Sequence, residues 1–324
     1  MKRGRQPYTP SEEQRALMPD ISGNTINGLG ERGKRRPTQI YWHRPEALAF
    51  GRMQEWMVEN YNRHPLLHDI YRRVGDRGPR KPDPVAPERV EAAPETFAAE
   101  AKAFALANDA DLVGIARLDP DWIFEGYEVK DPWIVVIGVA MDHAILSTAP
   151  EATAAVEIAR QYNRGARAAA LLANWIRGKG YDATPHGGPW AGAITLIPPA
   201  LACGFGELGQ HGSIINRTYG SAIRLAAVTT EMPLAPDPAD AFGADDFCLS
   251  CQVCSNACPP QAIGPAKQWV RGVEKWYVDF DKCLPYFNET YGCGICIAVC
   301  PWSRPDTAPA LAEKMTRRRA RRGD

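Results

Sequence analysis

The sequence predicts an α/β protein: a layered helix-and-sheet core with a small cysteine-rich module toward its C-terminal end. Three observations carry this. Strand-like apolar runs flank a long amphipathic helix in the middle of the chain. Eight of the nine cysteines fall between Cys248 and Cys300. At 324 residues, the chain also leaves roughly two hundred residues ahead of those cysteines, enough to bury a sizeable core.

Residues 1–92 show little apolar periodicity outside one stretch. Glu46 to Tyr61 reads as a helix, with Leu48, Met53, Trp56 and Met57 on or near one face. Gly75 to Pro87 is rich in proline and charge and reads as a linker. Pro94 to Asn108 is a helix, followed by a buried strand from Asp111 to Ala116. Trp133 to Val139 is a stronger strand, because its run is largely β-branched. Glu151 to Arg177 forms a long helix with Val156, Ala159, Ala166, Ala170 and Ala173 inward, stopped by Gly178 and Gly180. Ala193 to Ile197 and Arg224 to Thr230 read as further strands. This alternation assigns a layered core to residues 93–240. The module covers 241–306. A basic tail, 307–324, carries Lys314, Arg317, Arg318, Arg319, Arg321 and Arg322 and is expected to be solvated and mobile.

Lys and Arg total 38, as do Asp and Glu, for a formal net charge of zero. The overall balance therefore points to neither a nucleic-acid nor a membrane partner. No run of about eighteen apolar residues is present. The first twenty residues are polar, and Arg35-Arg36 is followed by Pro37-Thr38-Gln39 rather than by a hydrophobic segment. A cytoplasmic location is expected.

The cysteines fall into two runs that each close on Cys-Pro: Cys248-x2-Cys251-x2-Cys254-x3-Cys258-Pro259 and Cys283-x9-Cys293-x2-Cys296-x3-Cys300-Pro301. The first has the spacing of bacterial two-cluster ferredoxins, in which the fourth cysteine of each run ligates the other cluster. Two [4Fe-4S] clusters follow. One is held by Cys248, Cys251, Cys254 and Cys300, the other by Cys283, Cys293, Cys296 and Cys258. Disulfide frameworks belong to small secreted chains, and zinc takes separated ligand pairs, so neither fits this spacing. Cys203 lies outside both runs, among small apolar residues, and reads as core packing.

The segment from Leu201 to Tyr219 is dense in glycine. Gly204, Gly206, Gly209 and Gly212, with His211, either let the backbone approach a flat cofactor or serve a tight turn. Gly204-x-Gly206-x-x-Gly209 fits the letters of a dinucleotide fingerprint, but no acidic residue follows at the required distance. Trp56, Trp190 and Trp302 either wall a pocket for an apolar or aromatic substrate or belong to the core. His186 sits in a Pro-His-Gly-Gly loop and is expected to face solvent.

Taken together, Cys203–Gly209, Arg224–Thr230, Gly272–Tyr277 and Cys293–Trp302 resemble the reductive dehalogenases, corrinoid and iron–sulfur enzymes that remove halide from organohalides. The last of these segments is shared with the related epoxyqueuosine reductases. The resemblance implies a nitroreductase-like core that binds cobalamin with its lower base detached. The absence of Asp-x-His-x-x-Gly, which supplies a lower histidine ligand elsewhere, agrees with that. The resemblance also implies a tyrosine proton donor, matched by Tyr162, assisted by a later cation: Arg224 first, Arg217 second. A phenol of ordinary pKa, about 10, is protonated at neutral pH, and a nearby cation eases transfer. Where epoxyqueuosine reductases carry Asp-Tyr, this chain has Gln161-Tyr162, and an amide is no acid. The implied substrate is a small organohalide, aromatic or not, and the implied electron source a separate ferredoxin or flavodoxin-type donor. The alternatives are a tRNA epoxide reductase of the epoxyqueuosine type, a non-catalytic dicluster electron carrier, and a corrinoid reductase that activates another protein.

Overall fold

The computed structural model describes residues 8–190 and 192–322. Its core is a four-stranded sheet built from β1 (Leu112–Arg117), β2 (Trp133–Ala140), β3 (Ala183–His186) and, after a short hairpin of β4 (Glu207–Leu208) and β5 (Ile214–Ile215), β6 (Ile223–Thr230). The order is β1-β2-β6-β3. Every pairing is antiparallel, with Leu112 opposite Gly138, Val139 opposite Arg224 and Ala183 opposite Thr230. The expected helix-and-sheet layering is present, and its sheet is entirely antiparallel.

β2 explains why its run reads as continuously apolar. Side chains alternate across a strand, and here both faces are covered. Val135, Ile137 and Val139 pack with Phe97, Ala101, Leu172 and Ile176 of the helices Pro94–Ala107 and Ala152–Gly178. Ile134 and Val136 pack on the other side with Phe205, Ile214 and Ala200. The long helix spans 27 residues, about 40 Å at 1.5 Å per residue. Its small residues let it lie close to the sheet: a Cβ on Gly165 would stand 3.3 Å from that of Ala226. Truncating Ile137, fully buried in this cluster, to alanine should cost about 2–5 kcal/mol, read as a lower midpoint in denaturant unfolding.

The module begins with two short helices, Ala244–Cys251 and Val253–Ala257. The hairpin of β7 (Gln268–Val270) and β8 (Val273–Lys275) follows, then the helices Phe280–Glu289 and Ile295–Ala298. It meets the core where Gly220 presses on the Cys300–Ser303 turn. A Cβ at Gly220, whose φ is +55°, would lie 1.9 Å from the Trp302 carbonyl oxygen, so only glycine fits.

Four expectations change. Residues 193–197 are not a strand: Ile194 makes one bridge to Ile123, and a helix starts at Ile197. Gly75 to Pro87 is no free linker; Asp83 N donates to Asn174 Oδ1 and Ala86 N to the Arg177 carbonyl, docking it along the long helix. The basic tail is a helix over Thr307–Ala320 that buries Ala308, Ala312 and Met315 against Phe242 and Trp302. His186 is largely buried rather than solvated, its Nε2 3.1 Å from Thr229 Oγ1, and burial lowers its pKa to about 4.

The N-terminal segment folds over both units. Asn24 and Ser22 bond Asp279 and Asp281, Tyr41 donates to Asn288 at 2.7 Å, and Leu29 bridges Val270. On the core side, Arg36 donates to the carbonyls of Ile123, Phe124 and Tyr127. Its helix, Gly51–Arg63, buries Met53 and Met57 beside Leu284.

Candidate active site

The fold gathers the eight cysteines of the two runs into two neighbouring groups. Burial pushes the thiols of Cys248 and Cys254 up to about 12, and Cys300 and Cys251 add to both. Cys300 in turn is raised by burial and by Cys251. In the second group, burial and then Cys293 and Cys258 push Cys283 up to about 12, while Cys296 is raised by burial and then by Cys293, Cys283, Cys254 and Cys258. The fourth cysteine of each run thus lies with the other run's three. Cys254 appears among the neighbours of Cys296, so the groups abut.

Both groups fit a cluster rather than buried thiols. Backbone N–H groups of Gln210, of Trp302 and Ser303, and of Ile295 and Gly294 bond Cys248, Cys300 and Cys293 and favour their thiolates. Ala262 N donates to Cys258 Sγ at 3.3 Å. Among the described residues, no three Cys, His, Asp or Glu converge tightly enough for a single ion. A cube's iron corners hold their thiolates farther apart than one ion does.

Between core and module lies a cavity of about 1010 Å³, at the top of the range for small-molecule sites, and so suited to a large cofactor. Cys258, Cys283, Cys293 and Cys296 line one part of it; Ile197, Leu201 and Arg224 line another. The glycine-rich segment supplies the wall between as the β4–β5 hairpin. Gly206, His211 and Gly212 line the cavity, whereas Gly204 and Gly209 lie off its wall. Gly206 is required by the turn itself: its φ is +119°, and a Cβ would stand 2.0 Å from the Ile215 carbonyl oxygen. His211 is buried, and burial lowers its pKa to about 4. Its Nδ1 accepts from Ser213 N at 3.2 Å, so Nε2 carries the proton toward Ser221 Oγ, 2.9 Å away. Both nitrogens are engaged, so this imidazole is not free to ligate a metal.

Arg224, on β6, holds its guanidinium over the ring of Tyr162, with Cζ 5.4 Å from the centroid. Its Nε is buried without a hydrogen-bond partner among the described residues. The structure thus brings Arg224 to Tyr162, with the cation over the ring face. Arg217 is committed elsewhere, bidentate to Asp240 at 2.6 and 2.7 Å. Gln161 is buried and donates to Glu157 Oε1 at 2.7 Å.

A smaller cavity of about 200 Å³ is walled by Trp42, Tyr61, Tyr71 and Trp190; Tyr162 itself lines neither cavity. Trp42 and Trp190 meet edge to face at 6.1 Å. Burial, and then the neighbouring Tyr71 and Tyr162, raise Tyr61 against the pull of Arg224. Tyr61, Tyr71, Tyr162 and Arg224 therefore form one neighbourhood linking the two cavities. Of the three tryptophans singled out above, only Trp190 lines this space. Trp302 is core, and Trp56 donates to Glu13 at 3.0 Å. Cys203 is core, as expected, with Sγ on the Ala200 carbonyl. Sequence reasoning missed Trp42, Tyr61 and Tyr71, and also Arg271 and Lys275 on the large cavity. No local pattern marks any of them.

Residues 247–303 match the family of the 4Fe-4S dicluster domain. The tetrachloroethene reductive dehalogenase of Desulfitobacterium hafniense is 30% identical over 211 residues, covering 61% of this chain and 37% of that protein. The enzyme of the same description from Sulfurospirillum multivorans is 30% identical over 242 residues, 60% of this chain and 48% of that one. An epoxyqueuosine reductase from Cellulophaga algicola is 30% identical over 122 residues, 32% of this chain and 36% of the other. The solved structure of the catabolic reductive dehalogenase NpRdhA, in complex with 3-bromo-4-hydroxybenzoic acid, aligns with a TM-score of 0.75 and 26% identity, over 93% of this chain and 46% of that one. The resemblance to reductive dehalogenases read from the residues thus recurs in both sequence and structure. The chain spans less than half the length of each of these relatives. No helix among the described residues is long and apolar enough to cross a membrane.

Proposed function

We propose that the chain acts as a reductive dehalogenase, converting a small organohalide, two electrons and a proton into the hydrocarbon and free halide. The observation that carries this is the large cavity, lined by the thiols of one cluster group and by Arg224, whose guanidinium covers the ring of Tyr162. A corrinoid held there would supply the reductive chemistry that side chains lack. The residues fit it. The lining is mostly apolar, the hairpin brings backbone close at Gly206 and Gly212, and the engaged His211 offers no lower ligand, as a base-off corrinoid requires.

The chain's own groups divide the remaining work. Cys248, Cys251, Cys254 and Cys300 would hold the cluster that receives electrons. A separate ferredoxin or flavodoxin-type protein would deliver those electrons. Cys258, Cys283, Cys293 and Cys296 would hold the cluster next to the cavity. Tyr162 gives its phenolic proton to carbon. Arg224, a permanent cation, stabilises the phenolate left behind. The tryptophan- and tyrosine-walled small cavity offers room for a small, flat, apolar molecule. Eight cysteines committed to iron suit a reducing cytoplasm.

The test is anaerobic reconstitution with iron, sulfide and hydroxocobalamin, followed by metal analysis and halide release from tetrachloroethene and 3-bromo-4-hydroxybenzoic acid. About eight iron and one cobalt per chain, with halide released, is the expected result. A full iron complement with no cobalt retained would leave an electron carrier instead.

A further inference from the structure

The large cavity is lined by cations that the proposed reaction leaves unused. Three of its carboxylates are already satisfied. Glu207 Oε2 accepts from the backbone N–H groups of Phe242, Gly243 and Ala244 at 2.9, 2.6 and 2.7 Å. Asp240 binds Arg217, and Asp245 binds Lys267 at 2.5 Å and Trp276 Nε1 at 2.7 Å. The fourth, Glu274, is exposed. Two cations on the same wall have no such partner. Lys275, at the end of β8, pairs with Gln268 through its backbone, and its side chain makes no hydrogen bond or ion pair with any described residue. Arg271, in the two-residue turn between β7 and β8, gives one N–H to the Asn27 carbonyl and forms no ion pair with a described carboxylate; Glu31, itself paired with Arg35, and Glu125 lie near it. Both are half-buried, and burial lowers the pKa of each, that of Lys275 to about 8 with Arg271 adding to the effect.

Holding two cations together in a partly desolvated wall is unfavourable unless an anion completes them. A base-off corrinoid carries one such anion, the phosphodiester joining its ring to the detached nucleotide, and phosphate oxygens take strong charge-assisted bonds from Lys and Arg. We infer that Lys275 and Arg271 form an anion subsite for the phosphodiester of the corrinoid's nucleotide tail, an inference that rests on the corrinoid reading above.

The experiment compares binding of cobalamin with that of cobinamide, which lacks the nucleotide and its phosphodiester, to the iron-loaded protein, followed by corrinoid absorbance. The wild type should bind cobalamin at least about tenfold more tightly. Lys275→Gln should weaken cobalamin about tenfold and leave cobinamide within about twofold, at unchanged iron content. Lys275→Arg, which keeps the cation, should restore the preference and shows that Lys275→Gln did not simply unfold the hairpin. Equal affinity of the wild type for both corrinoids, or equal loss of both in Lys275→Gln, overturns the subsite and leaves the proposed function standing. Failure of the wild type to bind either corrinoid overturns the proposed function and the subsite with it.

Discussion

Tyr162→Phe should abolish most turnover while leaving the cofactor content intact. A positioned proton donor contributes about a hundred- to ten-thousand-fold to a rate, and phenylalanine removes only the hydroxyl. The ring that Arg224 covers is kept, so the packing of the long helix and β6 is undisturbed. The expected signature is a fall of that size in kcat with little change in KM and unchanged iron and cobalt. Arg224→Met should act in the same direction by a smaller factor, because it removes the cation but not the donor. Full turnover by Tyr162→Phe would transfer the proton step to another group, with Tyr61 or Tyr71, both part of the same neighbourhood, as the next residues to replace.

The second large effect concerns which cysteines share a cluster. Because the fold groups Cys258 with Cys283, Cys293 and Cys296, Cys258→Ala should remove the cluster ligated mainly by the other run. Iron should drop from about eight to about four per chain. The pairing is read from double variants. Cys258→Ala with Cys283→Ala disables one cluster twice and should retain about four iron. Cys258→Ala with Cys248→Ala disables both and should retain almost none. If each run instead held its own cluster, the two double variants would exchange results. Metal analysis decides between them without any activity assay.

What the sequence made legible was whatever is written locally. The three close cysteines of a run share one short stretch, so their spacing alone identifies the cluster. β2 reads as a strand because both its faces are buried, and the helix from Ala152 reads as one because its small residues recur on a face toward the sheet. What was not legible depends on partners distant in sequence. Nothing near His186 announces that Thr229 of β6 will receive it. The arginines after residue 307 look like a solvated tail until Trp302 and Phe242 are seen to cover the apolar side of their helix. The candidate site divides in the same way. Gly206 and Gly212 could be picked out because a positive φ leaves glycine in the sequence, but Lys275 is an ordinary strand lysine until the cavity beside it is known. Arg224 stood out only through resemblance, and its place over the ring of Tyr162 came from the register of β6.

The two cavities also draw on different parts of the chain. Every residue on the wall of the small one lies between Trp42 and Arg72 or at Pro189 and Trp190. The thiols and the glycine-rich hairpin come from elsewhere. Changes heritable in that first stretch can therefore retune which molecules are accepted without altering how electrons reach them. Lineages of such a protein would be expected to diverge fastest in those thirty or so positions, as binding segments do when a rigid scaffold carries them, while the electron path stays fixed. A library randomised at Tyr71 and Trp190 would explore new substrates while leaving in place Tyr61, whose hydroxyl bonds the Tyr291 carbonyl near Cys293, and Trp42, which packs on Phe287.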